Sequence, residues 1–252
     1  ASILNSSFLS VPDGVGILYA KRFIDFTNRI RKIDCSLREI NCSSLLKKVK
    51  CILKTFFGGG LGERIGGADL IYDICELANE KGYTVFLLGG WPTNFWGKPV
   101  YQNSMGIDLA TKAAESLKQK YSNLKIIGAT SQFNYKEEDD KKTISYIKEQ
   151  MLSKGVNSID ILFVCYGASK QEKWIERNAH CIPTRIALGL GGTFDYISGF
   201  KKRSPKFIIK LNLEWLFRLI TQPWRIKRIF ISCIVFPSLV IRRYTGRSIQ
   251  IY

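Results

Sequence analysis

The sequence has few of the residues that build metal centres and histidine-dependent catalytic groups. His180 is the single histidine among 252 residues, and nothing near it in the sequence indicates a metal ligand or a catalytic triad. The seven cysteines include no C-x-x-C pair, which argues against a zinc cage or a disulfide scaffold and favours reduced thiols. No D-x-D motif occurs in a convincing position, so we expect neither a metal nor a cofactor.

Long apolar runs are also missing. No stretch approaches the ~20 residues that are needed to span a bilayer, and no signal peptide is visible. The apolar run 229–241 has thirteen residues and lies between basic flanks. The length and the 46% hydrophobic composition suit one large α/β domain over 1–200, followed by an appendage over 201–252.

The net charge of +17 is concentrated at the carboxyl end. Residues 201–252 carry twelve lysines and arginines against one acidic residue, Glu214, and so hold +11 of that charge. A basic tail implies a polyanionic partner, either nucleic acid or an anionic membrane face. The apolar run favours the membrane surface over nucleic acid, although a buried core helix is a structural alternative. We predict a basic, amphipathic, membrane-associating appendage and no nucleic-acid partner.

Strand-like and helix-like patterns alternate along the chain. Predicted strands cover 84–88, 124–127, 159–165 and 186–191, and predicted helices cover 68–81, 109–121, 143–152 and 170–175. The run 159–165 is nearly unbroken in its apolar character, which is typical of a strand buried on both faces. The alternation predicts a Rossmann-like, doubly wound parallel α/β sheet.

Glycines and polar residues follow these predicted strands, where open α/β sheets bind their ligands. The residues concerned are Gly89 and Gly90 after the first strand, Lys170 and Gln171 after the third, and Gly189, Gly191 and Gly192 after the fourth. Backbone can approach a phosphate closely where side chains are absent. These positions therefore predict a site for a phosphorylated ligand.

With these motifs the chain resembles the WecG/TagA/CpsF family of bacterial glycosyltransferases (glycosyltransferase family 26). The matching runs, in family order, are P-D-G (12–14), E-R-I-G-G-A-D-L (63–70), V-F-L-L-G-G (85–90), G-A-S-K-Q-E (167–172), G-L-G-G-T-F-D (189–195), L-E-W-L-F-R (213–218) and Q-P-W-R (222–225). Family members carry a further strand and helix before the part that this chain matches. We therefore expect the chain to be either a fragment or a divergent member.

The resemblance implies an inverting, metal-independent sugar transfer from a UDP-sugar to a saccharide on polyprenyl diphosphate. The sugar would be N-acetylmannosamine, its uronate or a hexose, and the enzyme would work peripherally at the cytoplasmic face of the membrane. The resemblance also allows a homo-oligomer. Two other functions stay open: an inactive homologue that binds glycolipid, and a nicotinamide-dependent oxidoreductase. The oxidoreductase would need G-x-G-x-x-G after the first strand, and the glycines at 189–192 lack its third spacing.

The resemblance also assigns roles to residues. The catalytic set is Asp13, Gln171, Arg218, Arg225 and Arg228. Asp13 matches the family's proposed base, although the local sequence alone favours an ordinary turn aspartate. Gln171 would orient substrate, and the three arginines would neutralise the departing nucleotide diphosphate unless they only touch lipid headgroups.

A second set would bind the nucleotide sugar. Its members are Arg64, Gly67, Asp69, Gly89, Gly90, Lys170, Gly189, Gly191, Gly192 and Asp195. Arg64 and Lys170 would meet phosphate, and Asp195 would accept hydrogen bonds from ribose hydroxyls. For Asp69 and Asp195, capping of a helix is the alternative to ligand binding.

Overall fold

The computed structural model describes residues 66–92, 108–210 and 213–244. Residues 66–203 belong to one compact unit, and the described residues from 204 onward belong to a second. The predictions for Asp13 and Arg64 concern residues outside this described part, as does the expected membrane contact of residues beyond 244.

The first unit is built on a four-stranded parallel sheet with the order β2-β1-β3-β4. The strands are β1 (Thr84–Gly89), β2 (Lys125–Thr130), β3 (Ile159–Cys165) and β4 (Thr184–Gly189). The helices of this unit are α1 (Gly67–Lys81), α2 (Leu109–Lys120), α3 (Glu137–Ser153), α4 (Lys170–Asn178) and α5 (Thr193–Ile197), with a 3₁₀ turn at Ala179–Cys181.

Helices cover both faces of the sheet. Successive side chains of a strand point to opposite faces, so Val85 and Leu87 of β1 face one layer while Phe86 and Leu88 face the other. The first layer holds buried residues of α1, α2 and α5, and the second holds those of α3 and α4. This three-layer arrangement confirms the predicted Rossmann-like α/β fold.

Parallel pairing brings the carboxyl ends of the strands to one edge. Gly89 at the end of β1 lies opposite Cys165, and Gly189 at the end of β4 lies opposite Val164. The loops after β1, β3 and β4 therefore leave the sheet side by side, and these loops carry most of the predicted binding residues.

The predicted strands and helices of this unit are confirmed, with shifts at some ends. β3 has the predicted bounds, and Gly82 ends α1 in the left-handed conformation with φ 70°. β2 runs on to Thr130 because Gly128 and Ala129 pair with β1. The acidic run that follows residue 136 forms the first turn of α3, where negative charge favours the helix dipole.

The described part of the second unit consists of short helical segments. They are α6 (Lys206–Lys210), α7 (Glu214–Thr221), a 3₁₀ turn (Pro223–Arg225), α8 (Ile226–Phe230), a π turn (Ile231–Val235) and α9 (Phe236–Tyr244). Pro223 opens its turn, where its fixed φ suits the first position. Among the described residues, none of the helices has both the length and the apolar character for a membrane span.

Candidate active site

The loop 189–192 after β4 lies where α1 and α5 begin. A Cβ atom added at Gly67, the first residue of α1, would lie 3.2 Å from Oγ1 of Thr193 and 3.3 Å from the carbonyl oxygen of Leu190. Both distances are tighter than ordinary van der Waals contact, so glycine allows α1 to start directly against this loop. The structure thus brings predicted residues from both ends of the first unit together.

Gln171 ties the first turn of α4 to the same loop. Its side chain lies almost wholly inside the protein, with 4% of the residue exposed. Oε1 accepts a hydrogen bond from the Gly191 N–H at 2.8 Å, and Nε2 donates to Oε1 of Glu172 at 3.0 Å. An amide group offers two N–H donors, so one donor is used within the protein together with the carbonyl oxygen.

The neighbours of Gln171 in α4 have different environments. Oε2 of Glu172 is buried and has no hydrogen-bond partner among the described residues. Lys170 is exposed, and its Nζ lies 4.4 Å from the ring centroid of Tyr135. Ser169, which precedes α4, has φ 66° and is the described non-glycine residue with a left-handed backbone. Strained backbone of this kind is often found at functional sites.

The two predicted acidic binding residues are paired with cations of the segment 201–203. Nζ of Lys201 lies 2.7 Å from Oδ2 of Asp195, and Arg203 pairs with Asp69. Neither acid caps its helix, because Gly66 and Gly192 occupy those positions without a side-chain cap bond. The capping alternative is therefore wrong for both residues, and each carboxylate serves an ion pair in this structure.

Gly89 and Gly90 make a turn that fits against aromatic rings. Their φ angles are 86° and 87°, in the region that favours glycine. A Cβ at Gly89 would lie 2.8 Å from Cδ1 of Tyr166, and one at Gly90 would lie 3.0 Å from Cδ2 of Phe194. At Gly192 the Cβ would lie 3.3 Å from Oδ2 of Asp195. The space that these glycines leave is filled by protein side chains.

Ser131, which the sequence analysis did not single out, joins three elements at this edge. It is fully buried, and its Oγ donates to the Gly89 carbonyl at 2.8 Å and accepts from the Ala110 N–H at 3.0 Å. Its own N–H donates to Asp108, whose other oxygen accepts from the Thr111 N–H and caps α2. An aspartate just before an apolar helix was a readable signal for the cap.

Aromatic rings follow β1, β2 and β3 at the same edge. The ring centroid of Tyr166 lies 5.6 Å from that of Trp91 and 6.3 Å from that of Tyr135. Burial raises the pKa of Tyr166, so its phenol stays neutral. The edge thus has an aromatic half beside β2 and a glycine-rich half beside β4.

The predicted catalytic arginines lie in the second unit. Arg218 pairs with Glu214 four residues earlier, and Glu214 is buried. Arg225 ends the 3₁₀ turn and is half-buried. Arg228 lies in α8, and its side chain is outside the described part. Arg225 follows Arg218 by seven residues and Arg228 follows Arg225 by three, so the arginines lie on three successive helical segments.

In the described residues 66–92, 108–210 and 213–244, no three His, Cys, Asp or Glu side chains come together as a metal site. A doubly wound parallel sheet with glycine-rich strand exits defines a Rossmann-like α/β protein of the kind that binds ligands at its carboxyl edge. Within that class, the chain belongs to the WecG/TagA/CpsF family of glycosyl transferases, whose family model matches residues 47–250.

Two relatives of known activity are similar to this chain. An N-acetylglucosaminyldiphosphoundecaprenol N-acetyl-beta-D-mannosaminyltransferase of Bacillus subtilis (strain 168) is 28% identical over 229 residues, which are 90% of this chain and 66% of the relative. A protein of the same name from Bacillus spizizenii (strain ATCC 23059 / NRRL B-14472 / W23) is 26% identical over 230 residues, with the same shares. The chain thus spans about two thirds of the length of these relatives.

Proposed function

We propose that this protein transfers N-acetylmannosamine from a UDP-sugar to an N-acetylglucosamine that is linked to a polyprenyl diphosphate. The acceptor and the sugar are those in the names of the two relatives. The observation that carries the proposal is the convergence of family motifs on one edge of the sheet. Gln171 binds the amide of Gly191, and Gly67 packs against Thr193, although these residues lie far apart in the sequence.

The donor would bind at the glycine-rich half of the edge. The start of α1 lies against the loop 189–192 and offers backbone N–H groups, and helix starts favour anions. Lys170 is exposed at the start of α4, where its ammonium group would offset the charge of a diphosphate. Because an open α/β sheet binds ligands at its strand carboxyl ends, this half is the natural place for the nucleotide.

The reaction would be a single displacement at the anomeric carbon. The acceptor hydroxyl oxygen forms the new glycosidic bond while the bond to the UDP phosphate oxygen breaks, which inverts the configuration. Asp13 would take the hydroxyl proton. Arg218, Arg225 and Arg228 would stabilise the negative charge that appears on the departing UDP.

The enzyme would act as a peripheral protein at the cytoplasmic membrane face. The basic residues of 201–252 would attract anionic headgroups. Large apolar side chains of the second unit are exposed, among them Phe230, Ile231 and Ile234, each more than half exposed. Apolar groups beside basic ones are the composition of a segment that lies in the membrane interface.

The proposal is tested by incubating the protein with UDP-N-acetylmannosamine and a short-chain polyprenyl diphosphate N-acetylglucosamine. We expect UDP release together with a disaccharide product of β configuration. Asp13→Asn should reduce turnover at least about a hundredfold, the usual effect of a general base, while it leaves UDP binding intact.

Asp73→Asn is the matched control, since Asp73 is an exposed residue of α1. It should turn over like the wild-type protein. Undiminished turnover of Asp13→Asn would remove Asp13 from the mechanism. Failure of the wild-type protein to use any UDP-sugar with such an acceptor would overturn the proposed function.

A further inference from the structure

The space above Gly189 is occupied by Gln171. A Cβ atom at Gly189 would lie 2.6 Å from Nε2 of Gln171 and 2.9 Å from its Cδ. The backbone of Gly189 is not in the left-handed region, so strand geometry alone would accept another residue there. What an alanine would displace is the end of a flexible side chain. The absence of a side chain at Gly189 therefore serves Gln171.

Gln171 crosses Gly189 to reach Gly191. The φ of Gly191 is 65°, and nothing lies within 4 Å of the position that a Cβ would take. The loop is thus held on this side by a hydrogen bond to its backbone and not by side-chain packing. Without the Gln171 side chain, the Gly191 N–H would lose this acceptor.

Glu172 fixes the orientation of the Gln171 amide. An ionised carboxylate can only accept hydrogen bonds, so its contact selects the NH₂ end of Gln171. The carbonyl end is then directed to the Gly191 N–H. A flipped amide would set two acceptors against each other at Glu172 and two donors against each other at Gly191.

The Gly191 loop leads directly to the start of α5, against which α1 begins. Thr193, the first residue of α5, donates its hydroxyl proton to the Leu190 carbonyl at 2.6 Å, and the same carbonyl lies against Gly67. A shift at Gly191 would therefore move the starts of both helices. The side-chain amide of Gln171 thus bonds to the loop on which the starts of both helices lie.

We propose that Gln171 is a positioning residue for the donor nucleotide, acting through a latch that consists of its bond to Gly191 and its passage over Gly189. The inference rests on the proposed function, because it gives the latched loop the task of receiving UDP. It differs from a role in which Gln171 orients the sugar by direct contact. A contact with the sugar would affect turnover and sugar binding, whereas the latch affects binding of UDP itself.

The test combines substitutions at both ends of the latch. Gln171→Met fills the same space without the hydrogen bond, Gln171→Ala empties it, and Gly189→Ala expels the side chain. UDP affinity is measured by calorimetry, and exchange of the Gly191 amide hydrogen is measured by NMR. We expect each variant to weaken UDP binding roughly tenfold, as for the loss of one buried hydrogen bond, and to speed exchange at Gly191.

The double variant Gln171→Ala/Gly189→Ala decides whether the two positions act as one unit. With the glutamine already gone, alanine at 189 has nothing to displace, so the double variant should bind UDP as Gln171→Ala does. Gly128→Ala is the matched control, because its Cβ would press on the Phe86 ring at 2.6 Å, away from Gln171. Gly128→Ala should lower the free energy of unfolding. Combined with Gln171→Ala, the two losses of stability should add.

Three results would overturn the latch. They are unchanged UDP affinity in Gln171→Met with reduced turnover, additive losses in the double variant, or unchanged exchange at Gly191 in all three single variants. A wild-type protein that binds no UDP would instead overturn the proposed function, and the latch would lose its assigned task. Protection of the Gly191 amide, read without any ligand, distinguishes that failure from failure of the latch itself.

Discussion

Replacing Asp195 by asparagine measures how much the buried pair with Lys201 stabilises the first unit. Nζ of Lys201 lies 2.7 Å from Oδ2 of Asp195, and the two side chains are 14% and 11% exposed. The Lys201 N–H also donates to the Asp195 carbonyl at 2.8 Å, which keeps the lysine in place when the carboxylate is lost. Asparagine would thus leave a largely buried ammonium group without its nearest opposite charge.

The expected loss in free energy of unfolding is large for one substitution. Removing one partner of a buried pair costs about 3–5 kcal/mol, because the remaining charge keeps its desolvation penalty. Both residues have further interactions, so we expect the lower end of that range, about 3 kcal/mol. At roughly 2–4 °C per kcal/mol for a chain of this size, the melting temperature should fall by about 6–12 °C.

Differential scanning calorimetry measures this change, and two further variants make it interpretable. Lys142→Met disrupts an exposed pair, in which the lysine is 74% exposed and lies 3.9 Å from Asp139, and should have no measurable effect. Asp195→Asn/Lys201→Met removes both charges and should recover part of the loss. A melting temperature within about 2 °C of wild type for Asp195→Asn would refute the reasoning.

Two other predictions concern acid stability and membranes. The Thr84 N–H donates to Asp160 at 2.8 Å, and this hydrogen bond is the main reason why the pKa of Asp160 is lowered. The carboxylate therefore stabilises the fold at pH values above its ordinary pKa. This stabilisation is lost as the pH falls through the lowered pKa. The difference in urea midpoint between wild type and Asp160→Asn should therefore narrow in acid, and a constant difference would contradict this. The full chain should float with vesicles that contain phosphatidylglycerol, less so at high salt, and not with phosphatidylcholine alone; equal binding to both would contradict an electrostatic contribution from the basic tail.

The fold was predictable because its signals are local. β3 is a continuous apolar run that ends at Cys165 as predicted, and α1 ends at Gly82 because a left-handed residue is needed there. The extent of β2 was less predictable. Its last residues are placed by pairing with Phe86, Leu87 and Leu88, and pairing of that kind has no local signature in the sequence.

The sequence predicted that glycines and polar residues meet at one edge of the sheet, but it did not predict the bonds that they form there. The sequence analysis assigned Lys201 and Arg203 to the basic tail. In the structure, Lys201 pairs with Asp195 and Arg203 pairs with Asp69. Arg203 and Asp69 are 134 positions apart, and no spacing rule connects such a pair. Ser131 was not singled out for the same reason, because its partners lie at the end of β1 and at the start of α2, far from it in the sequence.

Whether a polar group already has a partner within the protein bears on whether it can touch a substrate. The amide of Gln171 and the carboxylates of Asp69 and Asp195 already hold protein partners, so they shape the edge before any ligand arrives. A site that is arranged in advance needs little reorganisation during the reaction, which is how electrostatic stabilisation of a transition state becomes effective. Under the proposed function, direct contact with a diphosphate would then fall to groups such as the exposed ammonium of Lys170. On this reasoning, Lys170→Met should weaken UDP binding more in low salt than in high salt, because Lys170 would act through its charge. The effect of the Gln171 variants on UDP binding should not depend on salt, because Gln171 would act through the shape of the loop.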